Sequence, residues 1–444
     1  MMEKIPRVVK NIIGVVMTVV LVVLMLSKLT TLMEAKRSVE KYADFFEQEE
    51  DFDVLFFGTS HVINAVYPME LWNDYGIVSY NFGGHANNIP TSYWVMRNAL
   101  EYTNPKLVVI DCLKLSNETK IATDSFSYAH LSMDVFPTSL TKIQGILDLM
   151  KDDAMEKYLA KNPETEDEEE RTIIGLLWDF SVYHSRWSEL TSEDFEIEKN
   201  LEKGAESRIN VVRGQLDKID SSSKTADGRT GEKYLRKMIE YCQDNDIEVL
   251  LTFLPFPAAE YQQKEANRVY DIAEEYGVNY LNFLDMDIIN YDTDLYDENS
   301  HLNPSGARKV TDYLGNYIST HYDVEDRSGD TAYESWYDDY EEYTELKNTN
   351  LSSQKKLINY LMLLSGDSLD ADIKIANEKI YKDEWMAALL DNIENADIYF
   401  DDDDNADYGM KITVKRDGKI IDEVTFNYSY DGTTQSVNAT SAIR

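Results

Sequence analysis

Short apolar runs of strand length alternate with longer amphipathic stretches along most of the chain. The runs are Val54–Phe57, Val78–Phe82, Leu107–Asp111, Ile247–Phe253 and Val278–Phe283. Most are nearly continuous in apolar residues, the pattern of a strand covered on both faces. Between and after them Tyr67–Tyr75, Asn88–Thr103, Gly231–Asp244, Ala258–Tyr276 and the proline-led Pro304–Tyr322 read as helices. Strands spaced by helices predict an α/β fold, a three-layer sandwich with helices on both faces of a parallel sheet and right-handed crossovers.

The pattern changes at both ends and in the middle. Ile12 to Leu26 is apolar on every face, is preceded by Lys4, Arg7 and Lys10, and is followed by no small-residue cleavage site. This predicts a cytoplasmic tail and uncleaved single-pass membrane anchor over 1–33, with the remainder outside the cell. Residues 34–50 then read as a helical stalk and 51–324 as the α/β domain. A polar insert at 115–229 interrupts that domain. It carries an acidic run, Glu164 to Glu170, and the cluster Tyr183-His184-Ser185-Arg186-Trp187. The cluster reads either as a packed aromatic with a surface arginine or as a cap, in which His184 and Arg186 bind a phosphate or carboxylate of an anionic polymer. Residues 325–444 read as a small α+β module. In it Trp336, Tyr340 and Tyr343 recur at helical spacing, and Asp417-Gly418 joins two strands in a tight hairpin. Asp401 to Asp404 reads as a solvated turn rather than a calcium loop.

Composition narrows the function classes. The 444 residues hold 82 acids against 43 bases, a net charge of −39. Such a surface repels phosphate backbones, so no nucleic acid partner is expected. The two cysteines, Cys112 and Cys242, read as buried thiols. The six histidines are scattered with no H-x-x-x-H spacing, and no glycine-rich phosphate loop is present. No metal and no cofactor are expected.

Two short stretches carry chemistry. The first strand ends in Gly58-Thr59-Ser60-His61, which puts a serine at the carboxyl edge of a sheet, near a helix N-terminus. About 240 residues on comes Tyr296-Asp297-Glu298-Asn299-Ser300-His301-Leu302-Asn303-Pro304-Ser305-Gly306. An acid just before His301 would orient the ring, and the ring would take a proton from Ser60. His61 and His85, beside the serine and glycine blocks, read as substrate contacts or as structural imidazoles.

At these residues the sequence resembles the SGNH/GDSL hydrolase superfamily. The wording Gly-x-Ser-His and Ser-His-Leu-Asn-Pro-x-Gly looks most like its membrane-anchored, DltD-like branch in Gram-positive bacteria. The resemblance covers roughly Asp51 to Tyr322, without the insert. It implies a nucleophile at Ser60, a general base at His301 and the third member at Glu298, three residues before the histidine. Glu298 stands where the superfamily usually has aspartate, and Asp297 is the alternative. The resemblance also implies oxyanion donors from Ser60, from Gly83 or Gly84, and from an asparagine after the third strand. No matching asparagine block follows that strand, so Asn117, Asn87 or Asn88 would substitute. The implied activity is a serine esterase or acyltransferase acting on acetyl or D-alanyl esters. The implied partners are a cell-wall polysaccharide or teichoic-acid-like polymer and a membrane-bound acyltransferase. A non-catalytic scaffold or carbohydrate-binding protein on the same fold is the alternative.

Overall fold

A computed structural model describes residues 6–33, 36–123, 126–162, 172–178, 180–195, 199–298, 301–376, 383–401, 409–427 and 439–441. Five strands form the first sheet: β1 (Val54–Gly58), β2 (Ser79–Gly83), β3 (Leu107–Asp111), β4 (Glu248–Phe253) and β5 (Asn279–Asn282). They are all parallel, in the order β2-β1-β3-β4-β5. β1 to β3 are buried along their whole length, as the apolar runs of β1 and β3 predict; β2 buries Ser79 and Asn81 as well.

Alternation along each strand divides the core into two layers. Leu55, Phe57, Tyr80, Phe82, Val108 and Ile110 face one side, against helix α5 (labelled in chain order, Ile89–Ala99) and the helices Thr230–Asp244 and Glu260–Tyr276. Val54, Phe56, Leu107 and Val109 face the other, against Val310, Leu314 and Ile318 of the helix Pro304–His321. That is a three-layer α/β sandwich.

The N-terminal region departs from a free stalk. Helix α1 (Arg7–Met33) leaves Ile12, Val15, Val16 and Met17 exposed. Among the described residues no helix is long and apolar enough to cross a membrane. Helix α2 (Lys36–Glu47) packs on the edge of the sheet instead of standing clear of it. Tyr42 and Phe45 are each 2% exposed, and Phe45 meets Phe52, Tyr80 and Phe82 ring to ring. Apolar residues spaced three apart on a short helix signal a covered face, and here the edge strand β2 supplies the cover.

The C-terminal stretch builds a second sheet, in the order β10-β9-β8-β6-β7. Its strands are β6 (Asp370–Ile375), β7 (Ala396–Phe400), β8 (Met410–Arg416), β9 (Lys419–Phe426) and β10 (Ala439–Ser441). β6 and β7 run parallel; the other pairs are antiparallel. The β8–β9 turn has Asp417 at φ 51° and Gly418 at φ 74°, the two left-handed residues that a two-residue hairpin requires. Asp401 is described, while 402–404 and the acidic run at 164–170 lie outside the described residues.

The helix Ser335–Ser352 joins the two sheets. Its Trp336 is 2% exposed and packs near Phe52 and Trp72. The segment before it, which reads as a linker, is pinned by Arg327, whose guanidinium holds both oxygens of Asp53 at 2.9 and 3.0 Å. Buried Glu70, on helix α4 (Pro68–Tyr75), accepts from Arg308, from Lys347 at 2.7 Å and from the Tyr343 hydroxyl at 3.1 Å. Removing that carboxylate takes one partner from each cation and leaves Arg308 to Asp74 and Lys347 to Asp367. Glu70→Ala is therefore expected to cost about 1–3 kcal/mol in urea unfolding, whereas Lys415→Ala, on an exposed pair, leaves the unfolding midpoint essentially unchanged.

Candidate active site

Ser60 opens the short helix α3 (Ser60–Ala65) directly after β1. Thr59 caps that helix, its hydroxyl accepting the His61 amide at 3.2 Å. The turn requires Gly58: a side chain there would run into Val62 and into Asp111 on the adjoining strand, and its φ is 158°. As the first helical residue, Ser60 has an amide with no intrahelical carbonyl to bond.

The second loop meets the first. His301 Nε2 lies 2.8 Å from Ser60 Oγ, and its Nδ1 lies 2.9 and 3.1 Å from the two oxygens of Asp297. The pairing assigns the tautomer: Nδ1–H donates to Asp297, and Nε2 is left to accept the Ser60 hydroxyl. Asp297 also accepts the His301 amide at 3.1 Å, so one carboxylate fixes both backbone and ring. The Tyr296 amide donates to the His301 carbonyl at 2.7 Å, and Leu295 bridges Leu302. Asn303 caps the following helix, accepting the Gly306 amide at 3.2 Å.

This corrects the expected acid. The carboxylate on the ring is Asp297, four residues before the histidine, and Glu298 is exposed. Tyr296 pairs with His301 through its backbone N–H, which sets the earlier acid beside the imidazole. The expected glycine donor is corrected as well. The Gly83 amide donates to Asn81 Oδ1 at 2.9 Å, and its carbonyl accepts the buried Lys41 ammonium at 2.6 Å. The Gly84 amide donates to the Gly58 carbonyl at 3.0 Å.

A cavity of about 810 Å³ opens over the serine, and Asn117 is among its lining residues. The Asn117 side chain donates from Nδ2 to Asn88 Oδ1 at 3.0 Å. Of the two insert residues, Arg186 does not line this cavity. Arg186 donates to the Met33 carbonyl at 2.7 Å and pairs with Asp194, at the far end of α1, and the His184 side chain lies outside those described. The insert's cation on the cavity wall is Arg208, held by Glu206 at 3.2 Å. Glu206 also holds His85, which lines the same wall, at 3.1 Å.

Several lining residues went unmarked in the sequence: Lys114, Tyr128, Arg208, Tyr261 and Glu265. Glu265 had a legible signal. It precedes Val269 by four residues, placing a carboxylate on the covered stripe of its helix. Arg208 had none, because the segment around it has no periodicity. Among the described residues no group of three or more His, Cys, Asp or Glu side chains is placed to hold a metal ion.

His61 lines the cavity with its ring 5.0 Å from His301 and 4.6 Å from Phe256. Its Nδ1 is 3.3 Å from the Thr59 hydroxyl, and its buried Nε2 has no partner among the described residues. Burial, with His301 alongside, pushes its pKa down to about 3 from an ordinary 6.5. An unfolded chain binds a proton at His61 below about 6.5, and the folded chain does not until about 3. Its contribution to stability is therefore complete above that upper value and is lost as pH falls towards the lower one. His61→Gln is expected to flatten this acid limb in melting temperatures measured from pH 7 to pH 4.

Compared with known protein families and with curated proteins, the chain matches none.

Proposed function

We propose that this chain is a membrane-associated, extracytoplasmic serine esterase or acyltransferase of SGNH type. It acts on acetyl or D-alanyl esters of a cell-envelope polymer, a polysaccharide or teichoic-acid-like chain, in partnership with a membrane-bound acyltransferase. One observation carries the catalytic part: Ser60, His301 and Asp297 form an unbroken hydrogen-bonded relay on the wall of a large cavity. The exposed apolar side chains of α1 support membrane association.

In the first step Ser60 Oγ bonds to the ester carbon as its proton passes to His301 Nε2, and the carbonyl electron pair moves onto oxygen. Asp297 stabilises the imidazolium that results. Collapse breaks the bond to the alcohol, which leaves with the proton from His301. Water, or an acceptor hydroxyl, then repeats the sequence on the acyl-enzyme. Hydrolysis and transfer differ only in which of these enters.

The test is the full chain in detergent, treated with a fluorophosphonate and followed by intact mass and peptide mapping. One equivalent on Ser60 is expected. A chain that stays unlabelled while a control serine hydrolase reacts would overturn the enzymatic reading. The alternative, a non-catalytic envelope scaffold, is favoured by one observation: both glycine amides near the serine are already bonded, to Asn81 and to Gly58. It predicts no labelling, together with glycan binding that survives Ser60→Ala.

A further inference from the structure

The esterase reading leaves a deficit at the acyl oxygen. Negative charge builds there when Ser60 attacks, and preorganised positive charge aimed at it is commonly the largest catalytic contribution. The Ser60 amide is one donor. The Gly83 and Gly84 amides are committed within the protein. We propose that the Lys114 ammonium supplies the missing positive charge, and this rests on the esterase reading of Ser60.

Position is the first argument. β3 pairs β1 in register, with Ile110 opposite Phe57, so Asp111 lies beside Gly58. Ser60 and Lys114 follow within a few residues of that point, off the same edge of neighbouring strands about 4.8 Å apart. Both line the one cavity, with His61, Asp297 and His301.

The second argument is the way Lys114 is held. Its φ is 71°, a left-handed backbone in a residue that gains nothing sterically from it. Ala86, also on the cavity wall, has a φ of 53°, and its carbonyl accepts the Lys114 ammonium at 2.6 Å. Among the described residues five non-glycine residues have positive φ, and these two are bonded to each other beside the nucleophile. Glu265, 1% exposed, keeps the loop in that shape by accepting the Lys114 amide at 3.2 Å, the Ser116 amide at 3.1 Å and the Ser116 hydroxyl. Strained residues persist only where their surroundings over-determine them, and they gather at functional sites.

Charge is the third argument. The chain carries −39 overall, so a cation in this cavity is not a product of composition. Arg208 is tied to Glu206 and lies over the Tyr296 ring, 5.6 Å from its centre. The field of Lys114 already reaches the residue after the nucleophile, where it helps keep His61 uncharged.

The experiment compares Lys114→Gln and Lys114→Arg in the full chain in detergent, with p-nitrophenyl acetate as substrate. Glutamine keeps an N–H donor on a shorter side chain, and only arginine keeps the charge. Lys114→Gln is expected to lower kcat on the order of 10²-fold with KM little changed, and Lys114→Arg to retain most of the rate. Wild-type kcat in Lys114→Gln, or an arginine variant as slow as the glutamine one, would overturn the assignment. An inert wild-type chain would instead remove the esterase reading and this proposal with it. In that case the fluorophosphonate adduct at Ser60 would be absent too, which separates the two failures.

Discussion

Replacing Ser60 or His301 with alanine is expected to reduce ester turnover to background, a fall on the order of 10⁶-fold in kcat for a working triad. The double variant should be no slower than either single one. Nucleophile and base act as a unit, so once the proton transfer from Oγ to Nε2 is lost there is nothing further to lose. The measurement is kcat with p-nitrophenyl acetate, and the fluorophosphonate adduct should vanish from Ser60→Ala. Two single variants with modest and multiplicative losses would mean that the 2.8 Å contact is structural and that the reaction runs elsewhere.

Asp297→Asn is expected to lower kcat by on the order of 10⁴-fold, while Glu298→Gln leaves it essentially unchanged. The carboxylate at Asp297 accepts the His301 Nδ1 proton at 2.9 Å and so leaves Nε2 free to receive the serine proton. An amide at that position can present its N–H₂ group instead, which favours the tautomer protonated at Nε2. It also removes the negative charge that stabilises the imidazolium. The ring nitrogens of His301 are bonded to Ser60 and Asp297, so neutralising the exposed Glu298 leaves those bonds in place. The reverse outcome, a dead Glu298→Gln and an active Asp297→Asn, would return the acid to the spacing that the family resemblance implies.

The contrast between these two acids shows where sequence reading reaches its limit. Asp297 and Glu298 are adjacent carboxylates of nearly equal chemistry, and spacing alone favours the second. The choice depends on a backbone turn that lets Asp297 accept both an amide and a ring N–H of His301. The same holds at Gly83. A glycine after the second strand is the expected donor, but the neighbouring Asn81 side chain takes its amide first. In the insert, Arg186 belongs to a conspicuous aromatic cluster, whereas Arg208 stands in an unpatterned segment, and it is Arg208 that the chain path brings to the cavity.

Secondary structure was more legible because its causes are local. Strands covered on both faces are largely apolar, and β1, β3 and β4 announce themselves that way. The Asp417-Gly418 hairpin follows from the left-handed conformations its turn demands. β7 and β10 gave no comparable signal. β7 carries mixed exposure and depends on β6 for its pairing, so its sequence alone does not specify a strand.

Residue order alone determined the layered α/β architecture, the placing of Ser60 beyond a strand and of His301 before a helix, and the strong negative charge, because burial, turn sterics and composition act over a few neighbouring positions. Folding decided which carboxylate serves the imidazole, which amides remain available to an acyl oxygen and which cations face the nucleophile. Those outcomes turn on hydrogen bonds a few ångströms long between segments up to about 240 residues apart, and no local pattern encodes the competition among their possible partners.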